Sequence, residues 1–99
     1  MYYIEKTSEF DKWLKKLPDL RAKAKVLFRL QKLENDEHFG DFKTVGDGII
    51  ELRIDYAQGY RIYLKEKDKK LIILLLGGVK STQNEDIKKA KAIWRRINT

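Results

Sequence analysis

The apolar positions of this chain follow two rhythms. Phe10, Trp13, Leu14 and Leu17 recur at the three-to-four spacing of one helix face. Ser8, or Thr7 before it, can cap that helix, and Asp11 completes a capping box with Ser8. Pro18 ends it, because the residue before a proline avoids the helical region. Asp19 then caps a second helix over Leu20 to Glu34, with a broad stripe of Leu20, Ala24, Leu27, Phe28, Leu30 and Leu33. The pair reads as a helical hairpin whose apolar side needs a flat surface. Residues 2–5 read as a short strand ahead of it.

The second rhythm is alternation. Ile50, Leu52 and Ile54 share one side of a strand against Glu51, Arg53 and Asp55; Tyr60, Ile62 and Leu64 do the same against Arg61, Tyr63 and Lys65. Gly46-Asp47-Gly48 marks a turn after a short strand from Phe42 to Val45. Leu71 to Leu76 is apolar at every position, as in an interior strand covered on both faces. Gly77 and Gly78 are expected to end it. Ser81 or Thr82 caps a last helix, Glu85 forming a second capping box with Thr82. Ile87, Ala90, Ile93, Trp94 and Ile97 give its buried side. The expected fold is one α+β domain over residues 1–99: an N-terminal helical hairpin on a three- to four-stranded antiparallel sheet, with a C-terminal helix.

Composition narrows the chemistry. There is no cysteine, which removes disulfides and thiolate metal sites and suits a reducing cytosol. A single histidine, His38, in a loop among Asp36, Glu37 and Asp41, argues against a zinc site of the usual kind. No metal and no cofactor are expected. No signal-peptide pattern is visible, and the longest apolar run is too short to span a membrane, so the expected location is the cytoplasm. The net charge is +7, and its distribution is uneven: residues 51–99 hold 12 basic and 6 acidic residues, while residues 1–50 hold 10 and 9. A polyanion is therefore a reasonable partner.

Parity sharpens this. If both apolar sets face the helices, a loop of Tyr56-Ala57-Gln58 with Gly59 as a bulge puts Arg53 opposite Arg61 on the other face. Directly opposed like charges are destabilising. Either Glu51, Asp55 or Tyr63 neutralises them on that face, or they form a paired guanidinium site for phosphate. Lys80 lies where a strand hands over to a capped helix, whose free N–H groups suit an anion. Lys43 could extend the basic track. Tyr56 and Tyr63 could stack bases, whereas Tyr60 points to the core.

Phe42-Lys43-Thr44-Val45-Gly46-Asp47-Gly48-Ile49-Ile50-Glu51-Leu52-Arg53-Ile54, Gly59-Tyr60-Arg61-Ile62-Tyr63 and Leu75-Leu76-Gly77-Gly78-Val79-Lys80-Ser81-Thr82-Gln83 together resemble the RelE/ParE toxin superfamily, and within it the HigB-like addiction-module killer proteins. Phe10-Asp11-Lys12-Trp13-Leu14 is similar to that group's first helix. The resemblance implies a bacterial toxin silenced by a cognate antitoxin protein. It also implies metal-independent cleavage of mRNA on the ribosome, the ribose 2′-OH attacking the adjacent phosphate. Arg53, Arg61 and Lys80 fall where such relatives keep basic active-site groups. Gln83 and Asp86 stand where stronger ribonucleases of the superfamily carry a tyrosine or histidine. No histidine is available as a base. Glu51 could serve only if its pKa were raised, and two nearby arginines should lower it. The alternatives are a ParE-like inhibitor of DNA gyrase, or a remnant that only binds its antitoxin.

Overall fold

Two layers of helix enclose a sheet in the computed structural model, which describes residues 1–98. In chain order the elements are β1 (Tyr3–Lys6), α1 (Ser8–Lys15), α2 (Leu20–Asp36), β2 (Phe42–Thr44), β3 (Ile49–Ile54), β4 (Tyr60–Lys67), β5 (Leu71–Val79), a 3₁₀ turn (Lys80–Thr82) and α3 (Gln83–Ile97). The sheet has five strands in the order β1-β5-β4-β3-β2. β2 to β5 form the expected antiparallel meander. The first strand joins it at the far edge, parallel to β5, with Tyr3 beside Leu71 and Lys6 beside Leu74. The sheet is therefore mixed, with one strand more than expected. A parallel partner lies far away in sequence, and alternation within four residues does not reveal it.

The α1–α2 hairpin covers one face. Phe10, Leu14, Ala22, Val26, Leu30 and Leu33 pack there on Leu52, Ile54, Tyr60, Ile62, Leu64, Ile72 and Leu74. α3 covers part of the other face, where Ala90 and Ile93 meet Ile49, Tyr63, Ile73 and Leu75. β5 is thus an interior strand with both faces buried, as its unbroken apolar run implies. Among the described residues no helix is long and apolar enough to cross a membrane.

Local chemistry explains the helix ends. The Thr7 hydroxyl, rather than Ser8, accepts from the Phe10 N–H at 3.0 Å, while Asp11 pairs with Lys15 at 2.9 Å instead of closing a capping box. One Asp19 carboxylate oxygen accepts from the N–H groups of Arg21 and Ala22, as an N-cap should. The box expected from Thr82 and Glu85 does not form; Thr82 donates to Asp86. In α2 the buried stripe is Ala22, Val26, Leu30 and Leu33, whereas Leu20, Leu27 and Phe28 are exposed. Leu30 and Leu33 belong to both apolar phases of this helix. Stepping back by fours reaches Val26 and Ala22, whose small side chains let the helix sit close on the sheet.

The glycines after Leu76 continue β5 rather than end it. Leu64 pairs with Leu74 and Tyr63 with Leu76, so Leu75 is the extra residue of a bulge. Beyond it, Gly77 lies under the ring of Trp13, where a Cβ would stand 2.1 Å from the indole, and Gly78 lies under Asp86, where a Cβ would stand 2.0 Å from Oδ2. Their bare backbone admits α1 on one face and α3 on the other.

Candidate functional site

β3 and β4 pair with Arg53 directly opposite Arg61, and Ile54 opposite Tyr60. The parity is the expected one. The connection spans residues 55–59, closed by the Gly59 N–H donating to the Tyr56 carbonyl at 2.9 Å, and is longer than the three-residue loop anticipated. The arginine face is not open throughout, because α3 covers its other end.

What separates the arginines electrostatically is Glu51. Its side chain is fully buried. Oε1 accepts from Arg53 Nε at 3.0 Å, and Arg61 Nε lies 4.0 Å from the same oxygen. Oε2 accepts from the Tyr63 hydroxyl at 3.0 Å and from Gln83 Nε2 at 2.9 Å. Burial alone would raise its pKa, but the hydrogen bonds from Gln83, Arg53 and Tyr63 outweigh that and hold it below the usual carboxylate range. Glu51 is therefore an anion that fixes its neighbours. A base must capture a proton, and this carboxylate is held the opposite way. Burial, then the bond to Glu51, pushes the Tyr63 phenol far above its ordinary range.

The guanidinium groups face a cleft of about 280 Å³ lined by Asp41, Arg53, Asp55, Ala57, Gln58, Gly59, Arg61 and Lys80. Arg61 is 8% exposed; its Nη1 donates to the Tyr60 carbonyl at 3.3 Å, and its Nε–H has no acceptor within bonding distance. Lys80 begins the 3₁₀ turn, and its N–H donates to the Gly59 carbonyl at 2.8 Å. That bond ties the start of the turn to the β3–β4 loop and brings the third cation to the cleft. Buried Asp86 braces the turn from α3 by accepting from the Thr82 hydroxyl at the turn's end.

Arg53, Arg61 and Lys80 thus line one cleft, with Glu51 buried behind them. Gln83 is half-buried and its amide is engaged with Glu51. Lys43 sits opposite Glu51 on the edge strand, exposed, on the same face but outside the cleft lining. The two tyrosines expected to stack bases lie elsewhere. Tyr63 is fully buried between the sheet and α3, so its ring is closed to a base. Tyr56 packs on the hairpin side, its hydroxyl donating to Asp19 at 3.0 Å and its ring beside Tyr60 and Lys25. Asp41 and Asp55 stand at the cleft edge, and sequence reasoning gave Asp41 no part there. Asp55 shares the alternating face of Arg53, where the sequence already set it as a possible neutraliser; Asp41 arrives only through pairing of its carbonyl with the Arg53 N–H.

Comparison with known proteins agrees with this architecture. The fold matches that of a chain in the intact E. coli RelBE toxin–antitoxin complex, with a TM-score of 0.67 at 16% identity, over 80% of this chain and 96% of that one. A free-state mutant of E. coli toxin RelE gives 0.67 at 16% identity, over 92% and 95%. A chain of the Mycobacterium tuberculosis RelBE2 toxin–antitoxin complex gives 0.63 at 21% identity, over 80% and 98%. A Haemophilus influenzae protein described as uncharacterized is 57% identical over 94 residues, covering 95% of this chain and 94% of its own. Residues 12–98 match the family described as Phage derived protein Gp49-like (DUF891). The chain belongs to that Gp49-like family, built on the fold of the RelE toxins.

Proposed function

We propose that this protein is the toxin of a type II toxin–antitoxin pair, of the HigB-like kind, and that it cuts mRNA on the translating ribosome in the bacterial cytoplasm. The observation that carries the reading is the convergence of Arg53, Arg61 and Lys80 on one cleft around a buried carboxylate. Two guanidinium forks and an ammonium suit a phosphodiester that gains negative charge as its 2′-OH attacks. The RelE fold and the antitoxin complexes of its structural neighbours support the toxin reading and a cognate antitoxin as partner.

In this mechanism the 2′-oxygen bonds to phosphorus, the bond from phosphorus to the 5′-oxygen breaks, and a 2′,3′-cyclic phosphate forms. Arg53 and Arg61 grip the non-bridging oxygens and Lys80 gives its proton to the departing 5′-oxygen. Glu51 is held below its ordinary pKa by three donors, so it orients the arginines and takes no proton. The 2′-OH proton has Asp41 and Asp55, both at the cleft edge, as acceptors. Lys43, exposed beyond the cleft, extends the track for the RNA backbone, and Gln83 acts through Glu51. Most of the rate then comes from positioning and charge stabilisation, which fits a reaction that needs the ribosome to hold the codon.

The test is cleavage by the purified protein of mRNA on programmed ribosomes, beside the same RNA free in solution. Cleavage on ribosomes, with products ending in a cyclic phosphate and little cutting of free RNA, supports the reading. No cleavage in either, with inhibition of DNA gyrase instead, refutes it.

A further inference from the structure

Arg29 is tied to the main chain of another part of the fold. From α2 its guanidinium donates to three backbone carbonyls: Arg53 at 2.5 Å, Phe39 at 2.6 Å and Asp41 at 3.0 Å. The loop before β2 curls around it. Gly40, at φ +69°, passes so close that a Cβ there would stand 2.9 Å from Nη2. The Asp41 carbonyl also accepts the Arg53 N–H at 2.9 Å. The backbone of Arg53 is therefore gripped at both its N–H and its C=O, directly or through Asp41, by one side chain from the opposite face of the sheet. Both Arg53 and Asp41 line the cleft.

We infer that Arg29 is a positioning residue for the cleft: its guanidinium, caged by the carbonyls of residues 39, 41 and 53, fixes where Arg53 and Asp41 stand. An ammonium does not replace it, because a planar fork with five donors spans three converging carbonyls and a compact point charge does not. The consequence for catalysis rests on the ribonuclease reading; the consequence for the backbone does not.

Arg29→Lys tests it from the helix, and Gly40→Ala from the loop with the guanidinium intact. The first readout is amide hydrogen exchange. In both variants the Arg53 amide should exchange about tenfold faster or more, while Ile62 and Leu74 in the sheet interior change by less than about threefold. Equal changes at Arg53 and Ile62, or unfolding of both variants seen as lost protection at Ile62, would overturn the local role. The second readout is single-turnover cleavage on ribosomes. Arg29→Lys should lower the maximal rate about tenfold, leave the half-saturating concentration within about twofold, and add no further loss to Arg53→Ala. Losses that multiply would show that Arg29 does not act through Arg53. Should the native protein cut nothing, the ribonuclease reading fails on its own, and hydrogen exchange alone decides whether Arg29 positions the cleft.

Discussion

Glu51 is the residue on which the site depends. Parity alone put it beside two arginines, and its chemistry there follows from donors on three elements: Arg53 on its own strand, Tyr63 on β4 and Gln83 on α3. Parity also set Tyr63 on that face, but neither its burial nor the place of Gln83 could be read from the local pattern. Tyr63 alternates with the core like any exposed strand residue, and only the position of α3 closes it off. The opposed arginines had two readings in the sequence, neutralised or waiting for phosphate. In the fold Glu51 neutralises them in part, and their outer ends still face the cleft. Glu51→Gln leaves two buried or half-buried guanidiniums without an anion and should destabilise the fold by about 3 kcal/mol at neutral pH, measured by urea unfolding. The pH dependence has a definite sign. A carboxylate whose folded pKa lies below its unfolded value of about 4.3 adds stability above that value and loses it as pH falls through the folded pKa. The urea midpoint of the native chain should therefore fall on acidification, and less steeply in Glu51→Gln. Parallel slopes would contradict the role given to Glu51.

At the scale of elements, what was legible is what repeats within one segment. The hairpin, the meander, the interior character of β5 and the pairing of Arg53 with Arg61 all follow from periodicity and parity. What escaped depends on a partner distant in sequence: the parallel seat of β1, the phase of α2, and the meaning of Gly77 and Gly78. Glycines after an apolar run read as a stop. Here they are the places where Trp13 and Asp86 touch the strand. Gly77→Ala should cost about 1–3 kcal/mol of stability through overpacking and shift the fluorescence of Trp13. Unchanged emission and an unchanged unfolding midpoint would mean the indole yields without strain. In the hairpin, Leu33 is fully buried while Leu27 is half-exposed. Leu33→Ala should lose about 2–5 kcal/mol, and Leu27→Ala far less, which checks the phase of α2 directly.

For the whole molecule, the three cations of the cleft, Arg53, Arg61 and Lys80, all come from the second half of the chain, where the charge excess lies. The cleft is built from β3, β4 and the turn before α3, and carboxylates at its edge temper its field. Under the proposed function, three cations contacting phosphate imply a definite salt response. Affinity for single-stranded RNA should fall with salt at a logarithmic slope of roughly 2, at about 0.7 per contact, and Lys80→Ala should remove about one contact's share. Fluorescence anisotropy at several salt concentrations reads this, and an unchanged slope would place Lys80 away from phosphate.

The most direct measurement induces the protein in bacteria and maps mRNA 5′ ends within minutes, beside Arg61→Ala at equal abundance. New ends inside translated codons, absent in the variant, are the predicted result. Growth arrest without new ends, or the same ends in both strains, would contradict a ribonuclease built on this cleft.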